Sequence, residues 1–244
     1  MRACRRGCFT FKNRNHLRTE RLQEDCAVVL RNPQLWVIKI GGSLASASVL
    51  KGWLRSVTNL AQIKAVIVPG GGPFADQVRH SQAHWKFDDA TAHRMALLAM
   101  EQYGLMMSGL CSEIKTARNL SEIESLLQSD HSCIWLPYEM TYDDKAIPEN
   151  WEMTSDSLAA WLANLLNPEK LILIKSVKCK EQNLNVLTAV ERKWIDPLFP
   201  EMIKHASYET RLLYKDDYRY LGRLIQGEAI GTLLSKSKSS ALTI

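Results

Sequence analysis

The chain has 244 residues, of which 46% are hydrophobic and 23% are charged, a balance that suits one domain with an ordinary core. No apolar run approaches the roughly 20 residues that a membrane-spanning helix needs, so we expect no membrane insertion. The net charge of +5 lies mostly in residues 1–30, which carry +4. The remaining residues therefore lack the basic surface of a nucleic-acid-binding protein, and we expect no nucleic acid partner.

Residues 1–30 are a basic segment without the apolar stretch of a secretory signal. They are rich in arginine and have no acidic residue before Glu20, features that also occur in organelle transit peptides. We favour a disordered extension or a start codon assigned too far upstream, and we treat residues 31–244 as one domain. The six cysteines are scattered, as is typical of free thiols in a reducing compartment, and we expect a cytoplasmic protein.

The first half of the domain alternates strand and helix patterns. Leu35–Ile40 is a short apolar run that predicts a buried strand, and Ser46–Leu60 has apolar residues at helical spacing. Ala65–Val68 predicts a second buried strand, which ends in Pro-Gly-Gly-Gly, and a helix is expected to begin at Phe74–Gln82. Each predicted strand thus runs directly into a glycine-rich segment.

The middle of the chain favours helices. Ala90–Leu110 is a long helical stretch rich in Met, Leu and Ala, which favours a core or a subunit interface, with a pocket lined by its methionines as the alternative, and we expect a homo-oligomer. Ser121–Gln128 predicts a short helix and Cys133–Leu136 predicts a strand. The polar segment Tyr138–Trp151 follows Pro137, contains Pro148 and is interpreted as a loop.

The last third has a weaker pattern. Thr154–Leu166 predicts an amphipathic helix and Leu171–Ile174 a continuous apolar strand. Beyond them we predict only a helix at Asp216–Gln226 and a final strand at Ala229–Leu234. Strands that alternate with helices indicate parallel pairing and a sheet covered on both faces. The sequence therefore predicts an α/β protein, a three-layer αβα sandwich with a mostly parallel open sheet.

Two glycine-rich loops follow the first two predicted strands. The first glycine loop is Gly41–Ser43 and the second glycine loop is Gly70–Gly72. Glycine lets backbone N–H groups approach phosphate oxygens closely, and the helix that follows favours negative charge at its start. Because ligands bind beyond the carboxyl ends of parallel strands, both loops are expected to form one anion site. Tight structural turns are the alternative interpretation.

Neither loop matches a known nucleotide fingerprint, since no Gly-x₄-Gly-Lys-Ser/Thr occurs and the third spaced glycine of a dinucleotide site is missing. The lysine here, Lys39, stands before the glycines. It is predicted to project towards the phosphates, with a surface lysine at a strand end as the alternative. Thr154, Ser155 and Asp156 open a predicted helix, where capping alone would explain them. Asp156 can equally hold a catalytic lysine or gather a metal with ATP.

These motifs together resemble the amino acid kinase superfamily. The similarity lies in Val37–Ser43, Val68–Gly72 and Ser155–Ala159, and it runs from about Leu35 to Val177. It implies the amino acid kinase fold and direct transfer of the γ-phosphoryl group of MgATP to an acceptor oxygen. Positioning and charge neutralisation would then supply the catalysis.

Four further stretches resemble the subfamily of kinases that phosphorylate aminomethylfuran-methyl phosphate in methanofuran biosynthesis. They are Gly72–Arg79, Ala92–Ala96, Trp151–Leu158 and Ile195–Pro200. This similarity implies that the acceptor is a small molecule that already carries a phosphate group, within a one-carbon cofactor pathway.

The resemblance also implies a role for each matching residue. Lys39 would stabilise the transferring phosphoryl group and Asp156 would orient the lysines. ATP would be contacted by Gly41, Gly42, Ser43, Gly231 and Thr232. The acceptor would be contacted by Gly70, Gly71, Gly72, Arg79 and Ser155. Magnesium would enter with ATP, and no metal site made by the protein itself is expected.

One segment departs from the family. Members commonly have Thr-Asp-x-Asp-Gly-Val after the strand that follows the aspartate helix, whereas this chain has Lys175-Ser176-Val177-Lys178-Cys179-Lys180. Lys175 stands at a strand end like Lys39 and is a candidate second catalytic cation, with a solvated lysine run as the alternative. The missing Asp-Gly turn leaves a second function open. This is a non-catalytic relative that binds a phosphorylated metabolite or another oxyanion.

Overall fold

The computed structural model describes residues 35–60 and 62–236. The predicted extension at residues 1–30 lies outside this part of the chain. Within it, the strands are β1 (Leu35–Ile40), β2 (Lys64–Pro69), β3 (Lys115–Ala117), β4 (Cys133–Trp135), β5 (Lys170–Lys175), β6 (Asn183–Asn185), β7 (Glu209–Tyr214) and β8 (Thr232–Ser235). The helices are α1 (Val49–Thr58), α2 (Gly72–Trp85), α3 (Asp89–Leu110), α4 (Leu120–Gln128), α5 (Tyr138–Thr141), α6 (Ser155–Leu166), α7 (Val186–Glu191), α8 (Phe199–Met202) and α9 (Leu221–Ile225). None of these helices is both long and apolar enough to cross a membrane.

The strands form one sheet in the order β3-β4-β2-β1-β5-β7-β8-β6. Pairing is parallel throughout except between β7 and β8. The central strands β1, β2 and β5 are almost wholly buried, as continuous apolar runs in a parallel sheet must be when helices cover both faces. The predicted α/β sandwich with a mostly parallel sheet is confirmed.

The core is divided by the sheet into two clusters. Along β1, Leu35 and Val37 belong to the cluster that also contains the apolar side of α6, and Trp36, Ile38 and Ile40 belong to the opposite cluster with α1. Side chains along a strand alternate between faces, so Lys39 lies on the same face as Val37. This alternation turns Lys39 towards α6.

Most predicted elements appear within a few residues of their expected bounds, but the last third was predicted poorly. Strand β7, which pairs with both β5 and β8, was not predicted from the sequence. Glu209 and Arg211 lie two residues apart on that strand and pair with each other at 2.6 Å, so charged residues interrupt the apolar pattern. The strands β3 and β6 are only three residues long, which is too short for periodicity to show.

Two interpretations of irregular segments need correction. The predicted loop Tyr138–Trp151 contains the short helix α5, and the predicted helix Asp216–Gln226 is divided into a 3₁₀ turn at Asp217–Tyr220 and α9. Both helical segments are much shorter than the window of about 11–18 residues in which helical spacing of apolar residues can be recognised.

Helix α3 exposes several large apolar side chains. Met95, Leu98 and Leu105 are all at least one-third exposed and follow one another at spacings typical of one helix side. This side is where the expected homo-oligomer would make its contact. The oligomeric state stays a prediction.

Candidate functional site

Both glycine loops lie at the carboxyl edge of the sheet. In the register of β1, Ile40 stands opposite Pro69 on one side and Ile174 on the other. The residues that follow these three positions are Gly41, Gly70 and Lys175. Adjacent parallel strands therefore bring both loops and Lys175 to one short stretch of the sheet edge.

The two glycine loops touch each other through their backbones. A Cβ atom at Gly42 would lie 2.3 Å from the backbone nitrogen of Gly72, and a Cβ atom at Gly70 would lie 2.4 Å from that of Gly42. Gly72 also has a φ of +56°, in the left-handed region that favours glycine. Larger residues at these positions would push the loops apart, so glycine is required for this contact whatever the loops bind.

A cavity of about 480 Å³ opens between the loops and the helices that follow them. Helices α2 and α6 both begin at this cavity, and the first-turn N–H groups of a helix have no partner within it. The N-terminus of α2 therefore directs partial positive charge at this space, which favours an anion, whereas two N–H groups at the start of α6 already donate to a carboxylate. The lining consists of loop residues, small side chains and an apolar wall: Gly42, Ser43, Ser46, Gly71, Gly72, Pro73, Ala75, Asp76, Arg79, His93, Ala96, Leu97, Met100, Trp151, Met153, Thr154, Ser155 and Leu158.

Behind the cavity, one carboxylate holds two lysines. Lys39 Nζ lies 2.8 Å from Asp156 Oδ1, and Lys175 Nζ donates a hydrogen bond to Asp156 Oδ2. Lys39 and Asp156 are buried and the Lys175 side chain is 15% exposed. Lys175 lies on the same sheet face as Lys39 because it follows Leu173 by two residues in β5. The alternatives of a surface lysine at position 39 and a solvated lysine at position 175 are therefore wrong.

The charges of this cluster shift its pKa values. Burial alone would raise the pKa of Asp156, but the ammonium groups of Lys175 and Lys39 outweigh it and lower the pKa to about 2. Burial lowers the pKa of Lys175, and the charge of Asp156 offsets part of that effect. Asp156 is therefore a permanent anion at neutral pH. It holds two cations at the edge where the glycine loops meet.

The start of α6 is capped by Asp196, a residue for which the sequence predicts no role. Asp196 accepts hydrogen bonds from the backbone N–H groups of Thr154 (3.1 Å) and Ser157 (2.9 Å) and from the Thr154 hydroxyl (2.5 Å). Asp156 is consequently free to bind the lysines, so the capping interpretation of Asp156 is wrong. Burial, followed by the nearby charge of Asp156, raises the pKa of Asp196.

Arg79 lines the cavity from α2 together with Trp151 and Asp76. Its guanidinium lies 4.5 Å from the centroid of the Trp151 ring, and its Nη1 lies 2.9 Å from Asp76 Oδ1. The indole N–H of Trp151 donates to Gln82 Oε1 at 2.7 Å, which fixes the ring against α2. The arginine, the ring and the carboxylate thus support one another on this wall.

His93 lines the cavity and was also not predicted as a site residue. It is 5% exposed, and its Nε2 has no hydrogen-bond partner among the described residues. The stretch Ala92–Ala96 contributed to the resemblance, but nothing in its spacing points to a site residue. Asp196 lies in the stretch Ile195–Pro200, which likewise gave a resemblance without a role.

The structure separates the predicted site residues into three groups. Six line the cavity: Gly42, Ser43, Gly71, Gly72, Arg79 and Ser155. Gly41 and Gly70 are the first residues of these loops and do not line the cavity; Lys39, Asp156 and Lys175 form the cluster behind it. Gly231 and Thr232 do not line this cavity, and their local contacts are those of β8. A Cβ atom at Gly231 would lie 2.3 Å from the Leu212 carbonyl oxygen, and the Thr232 hydroxyl donates to the Glu181 carbonyl at 2.6 Å. The ligand-binding roles of all these residues stay predictions.

Known proteins resemble the chain in sequence and in fold. A chain from Methanocaldococcus jannaschii named [5-(aminomethyl)furan-3-yl]methyl phosphate kinase is 27% identical over 180 residues, which are 69% of this chain and 82% of that protein. The crystal structure of uridylate kinase from Archaeoglobus fulgidus superposes with a TM-score of 0.65 at 18% identity, covering 82% of this chain and 99% of that one. The structure of UMP kinase from Ureaplasma parvum gives 0.63 at 14% identity, with 83% and 99% coverage.

The sequence model of the amino acid kinase family matches residues 34–178, which is more than half of the chain. This range contains both glycine loops, the lysine pair and Asp156. The chain therefore belongs to the amino acid kinase family, and it is a phosphotransferase of that family.

Proposed function

We propose that this kinase transfers the γ-phosphoryl group of ATP to an oxygen of a phosphate monoester. The observation that carries the proposal is the backbone contact between the two glycine loops, with Lys39 and Lys175 held on Asp156 behind it. One loop would bind the donor phosphates and the other the acceptor phosphate. Their contact would bring the two anions close together, and the lysines would offset the resulting repulsion.

In the proposed reaction an acceptor phosphate oxygen forms a bond to the γ-phosphorus while the bond from that phosphorus to the β–γ bridging oxygen breaks. The products are ADP and a diphosphate ester. A phosphate monoester has a second pKa near 6, so at neutral pH its attacking oxygen carries no proton. The site carboxylates fit this requirement, because Asp156 is occupied by two lysines and Asp76 by Arg79. Neither is free to act as a general base.

The residues also fit a nucleotide that brings its own magnesium ion. Mg²⁺ usually binds through substrate phosphates with only one or two carboxylates. Within residues 35–60 and 62–236, no group of three acidic, histidine or cysteine side chains could hold a metal. We therefore assign Mg²⁺ to the phosphate oxygens of ATP, where it would neutralise the charge that develops during transfer.

For the acceptor we propose [5-(aminomethyl)furan-3-yl]methyl phosphate or a close analogue, as the name of the Methanocaldococcus jannaschii relative suggests. Beyond the glycine loops the cavity has an apolar wall of Leu97, Met100 and Leu158, which suits a small unsaturated ring. The Trp151 ring, stacked on Arg79, adds a flat surface at the same cavity.

The test of this function is ADP formation by the full chain with MgATP, in the presence and absence of the furan phosphate. We expect ADP release that requires the acceptor, together with a new diphosphate ester in the ³¹P NMR spectrum. Acceptor-independent ATP hydrolysis, or no ADP with any phosphate monoester supplied, would contradict the proposal.

A second candidate function is the binding of a phosphorylated metabolite without catalysis. The observation that favours it is the segment after β5, where lysines replace the family's Asp-Gly turn. Lys178 Nζ lies 5.7 Å from the centroid of the Tyr214 ring, and Lys215 Nζ lies 5.9 Å from the same centroid. Calorimetry separates the two functions: acceptor binding without any MgATP binding would favour the non-catalytic protein.

Asp196 is expected to position the site through the start of α6. In Asp196→Ala, three donors lose their acceptor, and we expect a loss of about 1–3 kcal/mol in the free energy of unfolding. We also expect a raised KM for the phosphate acceptor, because Ser155 lies on the turn that Asp196 holds. Denaturant unfolding and steady-state kinetics measure the two effects.

The matched control is Asn185→Ala, which removes a helix cap away from the cavity. Asn185 accepts a hydrogen bond from the backbone N–H of Leu187 at 2.8 Å at the start of α7. This control should lose about 1 kcal/mol of stability and keep its KM. If Asp196→Ala is destabilised but kinetically identical to Asn185→Ala, Asp196 has a structural role alone.

A further inference from the structure

One side of α3 runs along the whole cavity. His93, Ala96, Leu97 and Met100 line it at spacings of three, four and seven residues, which places them on one helix face. Further along α3, a Cβ atom at Gly104 would lie 3.5 Å from the Pro69 side chain, at the carboxyl edge of the sheet. At 1.5 Å per residue, His93 stands about 16 Å from Gly104 along the helix.

The cavity therefore has an inner and an outer end. Gly71, Gly72 and Ser43 define the inner end, where α2 begins. Arg79 is two turns further along α2, about 10 Å from Gly72, and it faces the cavity together with Trp151. His93 belongs to the outer end, because about three turns of α3 separate it from Gly104, which packs against Pro69 at the sheet edge.

The hydrogen bonding of His93 leaves one ring nitrogen unpaired. Nε2 is buried and has no partner among the described residues. A hydrogen bond with the backbone of Asn150 raises the pKa of His93, as expected when the ring is the donor, and since Nε2 has no partner we assign the donated proton to Nδ1. Burial lowers the pKa of His93, while Glu149 and Arg94 nearby have opposite effects on it. The ring is therefore neutral at pH 7, and Nε2 has a lone pair.

We propose that Nε2 of His93 accepts a hydrogen bond from an amine of the acceptor substrate, at the end of the cavity opposite the glycine loops. The inference rests on the proposed function and makes the substrate class more specific. The acceptor is a phosphate monoester with a compact apolar body and an N–H donor at the end remote from its phosphate. A phosphate group cannot satisfy Nε2, because ionised phosphate oxygens only accept hydrogen bonds.

The test compares two ligands on two proteins by calorimetry without nucleotide. The ligands are [5-(aminomethyl)furan-3-yl]methyl phosphate and the analogue with an ethyl group in place of the aminomethyl group. The wild type should bind the amine at least about tenfold more tightly than the ethyl compound, because the latter leaves a buried acceptor unpaired. In His93→Leu the preference should disappear, and in His93→Gln, whose amide can accept a hydrogen bond, part of it should return.

Three outcomes would overturn the inference. The first is equal affinity of the wild type for both ligands, and the second is an equal loss of affinity for both in His93→Leu. The third is a preference that survives in His93→Leu and disappears in Asp76→Asn, since the Asp76 carboxylate also lines the cavity and can accept from an amine.

A measurement on the wild type alone covers the case that His93→Leu does not fold. The ¹⁵N resonance of His93 Nε2 should move when the amine is added and stay in place with the ethyl compound; equal behaviour with both contradicts the inference. Because neither measurement uses ATP, absence of ADP formation would refute the proposed function without affecting this result.

Discussion

Lys39→Ala is expected to reduce kcat by about 10³-fold, with a much smaller change in the KM of either substrate. Lys39 lies directly before the first glycine loop, and its ammonium group is buried 2.8 Å from Asp156. Such a group stabilises the charge that spreads over the transferring phosphoryl oxygens more than it stabilises the bound substrates. Steady-state kinetics with MgATP and the phosphate acceptor measure the effect.

Lys64→Ala is the matched control for this variant. Lys64 begins β2 at the opposite edge of the sheet and pairs with the largely exposed Asp130 at 2.7 Å. An exposed pair contributes about 0–1 kcal/mol, so this variant should retain wild-type kinetics. Equal rates in wild type and Lys39→Ala would show that the transfer site has been assigned to the wrong residues.

Asp156→Asn is expected to affect both stability and turnover. The change leaves Lys39 and Lys175 close together without a counter-charge in a buried site, which typically costs about 3–5 kcal/mol. Turnover should fall by at least about 10²-fold, because both lysines lose the group that orients them. Chemical denaturation at pH 7 and steady-state kinetics measure the two losses.

The stability difference between wild type and Asp156→Asn should depend on pH. The pKa of Asp156 is lowered to about 2, below the value near 4 of an unfolded chain. The carboxylate therefore contributes its full stability above pH 4 and loses it as the pH falls towards 2. The difference should shrink over this range, whereas Asp130→Asn, in an exposed pair, should show little difference at any pH. A constant difference down to pH 2 would contradict the assigned ion pairs.

The sheet and the site edge could be predicted from the sequence because their signals are local. The apolar runs around Val37 and Val66 mark buried strands, and a glycine loop follows each strand directly. Alternation along a strand also explains why Lys39 and Lys175 lie on one face, which makes their convergence on Asp156 a consequence of the sheet. The role of Asp156 could be predicted only from the family resemblance, since acidic residues are also common in the first turn of a helix for capping.

The remaining site residues depend on contacts that no local pattern records. Asp196 is separated from Thr154 by 42 positions, and only the folded chain brings it to the start of α6. His93 lies on an ordinary helix of alanine, methionine and leucine, and its unpaired nitrogen is visible only once the packing is known. The missed strand β7 has a similar cause, since its buried residues alternate with the charged Glu209 and Arg211.

The cap on α6 also sets a lower limit for any working fragment of this protein. A chain cut after residue 178, where the family match ends, would retain both glycine loops, both lysines and Asp156 in its sequence. It would lose Asp196, and with it the acceptor for three donors at the turn that carries Ser155 and Asp156. It would also lose β7, the strand that pairs with β5 on the side away from β1, with Tyr214 opposite the terminal Lys175. Fragment swaps between relatives should therefore exchange the region through residue 214 as one unit, although the recognisable motifs end much earlier.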